Sequence, residues 1–181
     1  MAAEHAKTAT KEQQHRDLER RIKGAGPMNL KRIRKELAEF AKEPMEGISI
    51  APMVDSENPE SEMKWTCTIM GPPNTPFEGG VWHFEAWFPS DYPFKPPRMS
   101  MRTKIYHAYF GPMGGTCLDI EKDTWSPALT CSKILKAYRE LIASEPTEMD
   151  FAMQPEILNQ FQKDKALYEK TAREWTAKYA K

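Results

Sequence analysis

The chain has 181 residues, 40% hydrophobic and 29% charged, enough for one domain with a sizeable core and an appendage. Its 26 basic residues balance 26 acidic ones, so no bulk field favours nucleic acid or an anionic membrane. Three cysteines make no disulfide framework, and no apolar run approaches the roughly 18 residues of a membrane span. The expectation is a protein of a reducing compartment, the cytoplasm or the nucleus, bound to neither membrane nor nucleic acid.

Residues 1–28 form a polar extension, whose first 23 residues have Leu18 and Ile22 as the large apolar side chains after Met1. One apolar pair cannot bury a helix, so this extension reads as frayed or flexible, and Gly24-Ala25-Gly26-Pro27 reads as a linker. The folded domain is assigned to 29–181. Asn29 is placed as an N-cap, and Leu30, Ile33, Leu37 and Phe40 form a helical stripe opposite Lys31, Arg32, Arg34 and Lys35.

Four extended segments follow, over 48–54, 63–70, 81–88 and 98–104, separated by an acidic loop and by two proline-rich loops. Trp82, Phe84, Ala86 and Phe88 alternate onto one face of the third. With no helical crossover between them, the four are predicted to form an antiparallel meander. About 26 residues after 104 have no regular period, which is more often functional than accidental. Helices return with Ile134, Leu135, Tyr138, Leu141 and Ile142, over 156–162, and over 165–179. Helix, strands, then helices is an α+β arrangement.

The irregular stretch contains Gly114-Gly115-Thr116-Cys117. A cysteine straight after a glycine-rich turn is a candidate nucleophile on a loop. Cys67 lies mid-strand and Cys131 at the start of an apolar helix, and both read as small buried hydrophobes. Four histidines show no zinc-ligand spacing with any cysteine pair, so no metal is expected. A cysteine-protease reading would need His107 to meet Cys117 as its base, which spacing alone does not decide.

Several motifs stand in one order: Met70-Gly71-Pro72-Pro73 with Gly79-Gly80, Tyr92-Pro93-Phe94-Lys95-Pro96-Pro97, Lys104-Ile105-Tyr106-His107, Cys117-Leu118-Asp119-Ile120, Trp125-Ser126-Pro127-Ala128-Leu129, and Ala172-Arg173-Glu174-Trp175-Thr176. In that order they resemble the ubiquitin-conjugating enzymes across nearly all of 29–181. The resemblance implies the UBC fold, with an N-terminal helix, a four-stranded antiparallel meander and C-terminal helices. It implies that Cys117 accepts ubiquitin from an activating enzyme as a thioester and passes it to a lysine of a protein substrate, usually with a RING or HECT ligase. No cofactor is implied, since ATP is consumed by the activating enzyme.

By the same resemblance, Phe94 and Ser126, Pro127 and Ala128 are ligase-docking positions, and Lys31, Arg32 and Lys35 face the activating enzyme and ligases. Asp119 and Asp150 match acidic positions that help the incoming lysine. One departure stands out: the family has His-Pro-Asn where this chain has His107-Ala108-Tyr109. Tyr109 lacks an amide and is longer than asparagine, so it is expected to be a poor substitute for an oxyanion donor. A non-catalytic ubiquitin-binding adaptor of the same fold is the alternative, and the presence of Cys117 argues against it.

Overall fold

Strands that carry bulky apolar residues at every second position must bury that face, and the architecture follows from how they do so. The computed structural model describes residues 28–53, 59–116, 118 and 124–181. Residues 1–27, residues 54–58 of the acidic loop, and the predicted site residues Cys117 and Asp119 lie outside the described residues.

Helix α1 (Met28–Lys42) leads into strands β1 (Ile48–Pro52), β2 (Lys64–Met70), β3 (Val81–Trp87) and β4 (Arg98–Met101). They form one antiparallel sheet in the order β1-β2-β3-β4, the meander expected from the sequence. On its inner face Trp65, Cys67 and Ile69 stand beside Trp82, Phe84 and Ala86, with Cys67 opposite Phe84 and Phe84 opposite Met101. Helix α2 (Cys131–Ala143) covers this face with Ile134, Leu135, Tyr138 and Ile142, all 1% exposed or less. Tyr138 meets Phe84 edge-on, with ring centroids 5.0 Å apart. The α1 stripe packs on the same core through Ile33, with Leu37 and Phe40 at its margin.

Helices α3 (Pro155–Lys163) and α4 (Lys165–Tyr179) close the chain. Pro155 opens α3, and the Asp164 side chain caps α4 by accepting the Leu167 N–H at 2.9 Å. Ile157, Leu158 and Tyr168 make a second small core around Ala108, which ties these helices to the irregular stretch. This is the UBC α+β fold.

The element ends differ from expectation for local reasons. Helix α1 starts at Met28, so Asn29 is inside its first turn, where its Oδ1 still accepts the Leu30 N–H at 2.9 Å. Strand β4 stops at Met101 and does not reach 104, because the Thr103 side chain takes the His83 N–H at 3.0 Å in place of a ladder carbonyl.

One buried carboxylate joins the elements that carry the predicted docking loops. Glu36 of α1 is 5% exposed. Its Oε1 accepts from the Tyr92 hydroxyl at 2.5 Å and from Arg32 Nε at 2.6 Å, and its Oε2 accepts from the Cys131 N–H at 3.0 Å, at the start of α2. A helix N-terminus favours a negative charge, and Arg32 neutralises it. Burial, and then the Glu36 charge, push Tyr92 ionisation above its ordinary range, so the phenol stays a donor. Glu36→Ala leaves the Tyr92 hydroxyl and the Cys131 N–H buried without their partner. It should lower the unfolding free energy in guanidinium titration by about 3–5 kcal/mol. A loss under about 1 kcal/mol would show that water replaces the carboxylate at no great cost.

Candidate active site

The glycine-rich stretch before position 117 is a tight hairpin. Phe110 and Thr116 pair as an antiparallel bridge, the Gly111 N–H donates to Gly115 O at 2.8 Å, and the Gly114 N–H donates to Gly111 O at 3.0 Å. Gly114 has φ +79°, and a Cβ there would sit 2.1 Å from Met101 O. Only glycine lets this hairpin press against the end of β4. At its exit the Thr116 hydroxyl accepts the Leu118 N–H at 3.1 Å, so these two residues bracket the position of Cys117.

The four residues 107–110 organise what faces this hairpin. His107 is fully buried: its Nε2 donates to Ser144 O at 3.0 Å, and its Nδ1 accepts the Tyr109 N–H at 3.2 Å. A carbonyl on one nitrogen and an N–H on the other fix a single neutral tautomer. Burial holds its pKa down to about 4 against the opposing effect of the Ser144 carbonyl. A base for a cysteine protease needs a free nitrogen, and His107 has none. The protease reading is excluded.

Tyr109 is 6% exposed, and its hydroxyl accepts the backbone N–H groups of Thr147 and Glu148, each at 3.0 Å. The Ala108 carbonyl accepts from Met153 N at 2.8 Å and Gln154 N at 3.0 Å, and Gln154 Nε2 donates to Phe110 O at 2.6 Å. Tyr109, Leu118 and Phe151 line an open groove of about 420 Å³, with Glu145 and Glu148 along its edge. Asp150 is exposed in the short 3-10 turn Met149–Phe151, next to the groove wall. Among the described residues, no group of three His, Cys, Asp or Glu side chains could hold a metal ion.

The predicted docking residues converge. Phe94 is 71% exposed on a loop whose base is the buried Tyr92. Trp125 Nε1 donates to Pro93 O at 2.9 Å, and the Trp125 and Tyr92 rings lie 5.9 Å apart, so the second loop is fastened to the first. Ser126, Pro127 and Ala128 are exposed beside it, turning through the Leu129 N–H to Ser126 O bond. Lys31 and Lys35 project to solvent from α1.

Arg32 does not join them as a free cation. Its Nε binds Glu36 and its Nη2 donates to Leu129 O at 2.9 Å, so the guanidinium braces the second docking loop from below. Arg34 likewise forks onto Glu62 through two bonds of 2.8 and 3.0 Å, which reduces the basic face of α1 to its lysines. Sequence reasoning passed over Glu36 altogether. A glutamate on a helical stripe of charges gives no sign that it points inward, and the only available signal was its place seven residues after the buried Asn29.

The remaining cysteines are sealed, both at 0% exposure: Cys67 within the sheet core and Cys131 under the start of α2. Residues 32–176 match the family described as ubiquitin-conjugating enzyme, which takes in most of α1, the sheet, the hairpin, both predicted docking loops and most of α4.

The state of His107 gives the fold an acid-side weakness. Unfolded, the imidazole takes a proton below about 6.5, while the folded protein refuses it until about 4, so this contribution is complete above pH 6.5 and lost as pH falls to 4. The loss amounts to about 3 kcal/mol over that window. Urea unfolding of the parent and of His107→Asn, compared from pH 7 to pH 4.5, should give a shallower slope in the variant. Equal slopes would mean that His107 titrates alike in the folded and unfolded protein.

Proposed function

The chain belongs to the ubiquitin-conjugating enzyme family, and from that premise we propose that it carries ubiquitin as a thioester on Cys117 and transfers it to a lysine amine. In this reading the Cys117 thiolate attacks the thioester carbonyl of ubiquitin held by the activating enzyme, and that enzyme's thiolate leaves. The lysine amine of a substrate then attacks the new thioester, the C–S bond breaks, Cys117 departs as thiolate, and the amine gives up a proton as the isopeptide forms. A thiolate suits both steps, being a strong nucleophile and a good leaving group. The chain needs no cofactor of its own for this, since ATP is used upstream by the activating enzyme. The work would be done in the cytoplasm or nucleus.

One observation carries the assignment to Cys117. Cys67 and Cys131 are both at 0% exposure, whereas the chain neighbours of the third cysteine are Thr116 at the end of the hairpin and Leu118 on an open groove. Ubiquitin, the activating enzyme and a ligase follow as partners from family membership. The finer assignment places a RING or HECT ligase on Phe94 with Ser126, Pro127 and Ala128, and the activating enzyme on the lysines of α1. An exposed phenylalanine standing on a cross-braced loop fits an interface anchor. Asp119 and Asp150 are proposed to assist the incoming amine.

Incubation with activating enzyme, ATP and ubiquitin should give a reductant-sensitive adduct, lost in Cys117→Ala and kept in Cys67→Ala and Cys131→Ala. An adduct of normal yield on Cys117→Ala would sink the assignment. Phe94→Ala should charge within about twofold of the parent but lose ligase-stimulated transfer by about thirtyfold, the effect of removing an anchor worth about 2 kcal/mol. A parallel fall in charging would instead make Phe94 a residue of the fold.

A further inference from the structure

The turn 107–110 and the segment 144–154 are joined at both ends and in the middle of the segment. His107 holds Ser144 at one end, and the Ala108 and Phe110 carbonyls hold Met153 and Gln154 at the other. Between these anchors runs the stretch 145–152, in which Met149, Asp150 and Phe151 are exposed. Pro146 is buried, and Glu145 pairs with Lys165 at 2.5 Å on the surface. The tie to the turn at mid-span is the Tyr109 hydroxyl, which receives the Thr147 and Glu148 N–H groups. A hydroxyl oxygen has two lone pairs, and both are given to these amides.

We propose that Tyr109 is a positioning residue whose hydroxyl works as an acceptor: it holds 145–151 in place as the wall of the groove beside Leu118, and so sets how an acceptor amine approaches Cys117. The inference rests on the reading of Cys117 as the thioester carrier. Leu118 follows Cys117 directly in the chain, and it lines one groove together with Thr147, Glu148 and Phe151, so a shift of this stretch reshapes that groove. Displacements of about an ångström cost as much as a hundredfold in rate where two reactants must be aligned. An oxyanion donor would need only the O–H proton and would leave the two amides irrelevant. A positioning role needs the oxygen and both amides.

Tyr109→Phe keeps the ring in its buried slot and removes only the oxygen. Backbone amide exchange at Thr147 and Glu148, read on the uncharged protein, should accelerate by about tenfold or more. Single-turnover discharge of the purified thioester over a range of free lysine should show the half-saturating lysine concentration raised by about tenfold. Charging by the activating enzyme should stay within about twofold. Unchanged exchange at the two amides overturns the inference. Faster exchange with unaltered discharge overturns it as well, because the stretch would then be a passenger. A fall confined to the rate at saturating lysine, with exchange unaltered, assigns the hydroxyl to the oxyanion instead. Failure of the unmodified protein to charge overturns the underlying reading and this inference with it, and is told apart because the exchange measurement needs no charging.

Discussion

Burying a turn obliges every polar group in it to find a partner, and the site of this protein is arranged around one such turn. Residues 107–110 include three side chains at 0% exposure, His107, Ala108 and Phe110, so their carbonyls and ring nitrogens have no water to fall back on. The partners come from 144–154, a segment with little helix or strand of its own. Satisfying the turn therefore shapes the segment, and the segment lines the same groove as Leu118. The same requirement explains why His107 is a structural residue and not a base. A buried imidazole between a carbonyl and an N–H has both nitrogens spent, and its proton affinity falls accordingly.

A second buried polar group does for the partner surface what the turn does for the groove. Glu36 reaches Arg32 on its own helix, Tyr92 at the base of the first docking loop and the start of α2. Arg32 then reaches the second docking loop at Leu129, and Trp125 crosses to Pro93. Phe94 and Ala128 are thus held by contacts beneath them and not by their own burial. A surface preformed in this way loses less side-chain and loop entropy on meeting a partner, which favours binding without added contact area.

Much of the fold could be read from the sequence because it is carried by short-range periodicity. The alternation Trp82, Phe84, Ala86, Phe88 and the stripe Leu30, Ile33, Leu37, Phe40 each depend on neighbours within a few residues, and each is buried or at the core margin. The two loops proposed for docking were legible as loops for a different reason: ordered proline motifs that resemble a family. Helical periodicity sets Arg32 on the polar face with the lysines and gives no sign of the bonds its guanidinium makes. Its real partners include a carbonyl 97 residues away. Glu36 was missed on the same ground, as its hydroxyl donor is 56 residues distant and its amide donor 95. Tyr109 was weighed as a donor of the wrong length. Its length is what carries the oxygen past the turn to Thr147 and Glu148, contacts 38 and 39 residues away that no local pattern encodes.

The two halves of the site differ in how firmly they are held, and the magnitudes show which contact decides. Fixing a residue's backbone costs about 1–2 kcal/mol, so the stretch 145–152 must be offset by its own contacts or by covalent continuity with its anchors. Met149 and Phe151 are 49% and 43% exposed and return little hydrophobic free energy. The Glu145–Lys165 pair is a surface ion pair with side chains 60% and 51% exposed, a class worth about 0–1 kcal/mol. Against that background two hydrogen bonds to one phenol, each worth about 1 kcal/mol net, are a large share of what keeps the stretch ordered. The partner surface is insensitive to any one such bond, since each of its loops is braced by a buried charge or an indole. The groove wall is not. A segment so lightly held opens locally at low cost, and the residue that ties it back to the turn is Tyr109.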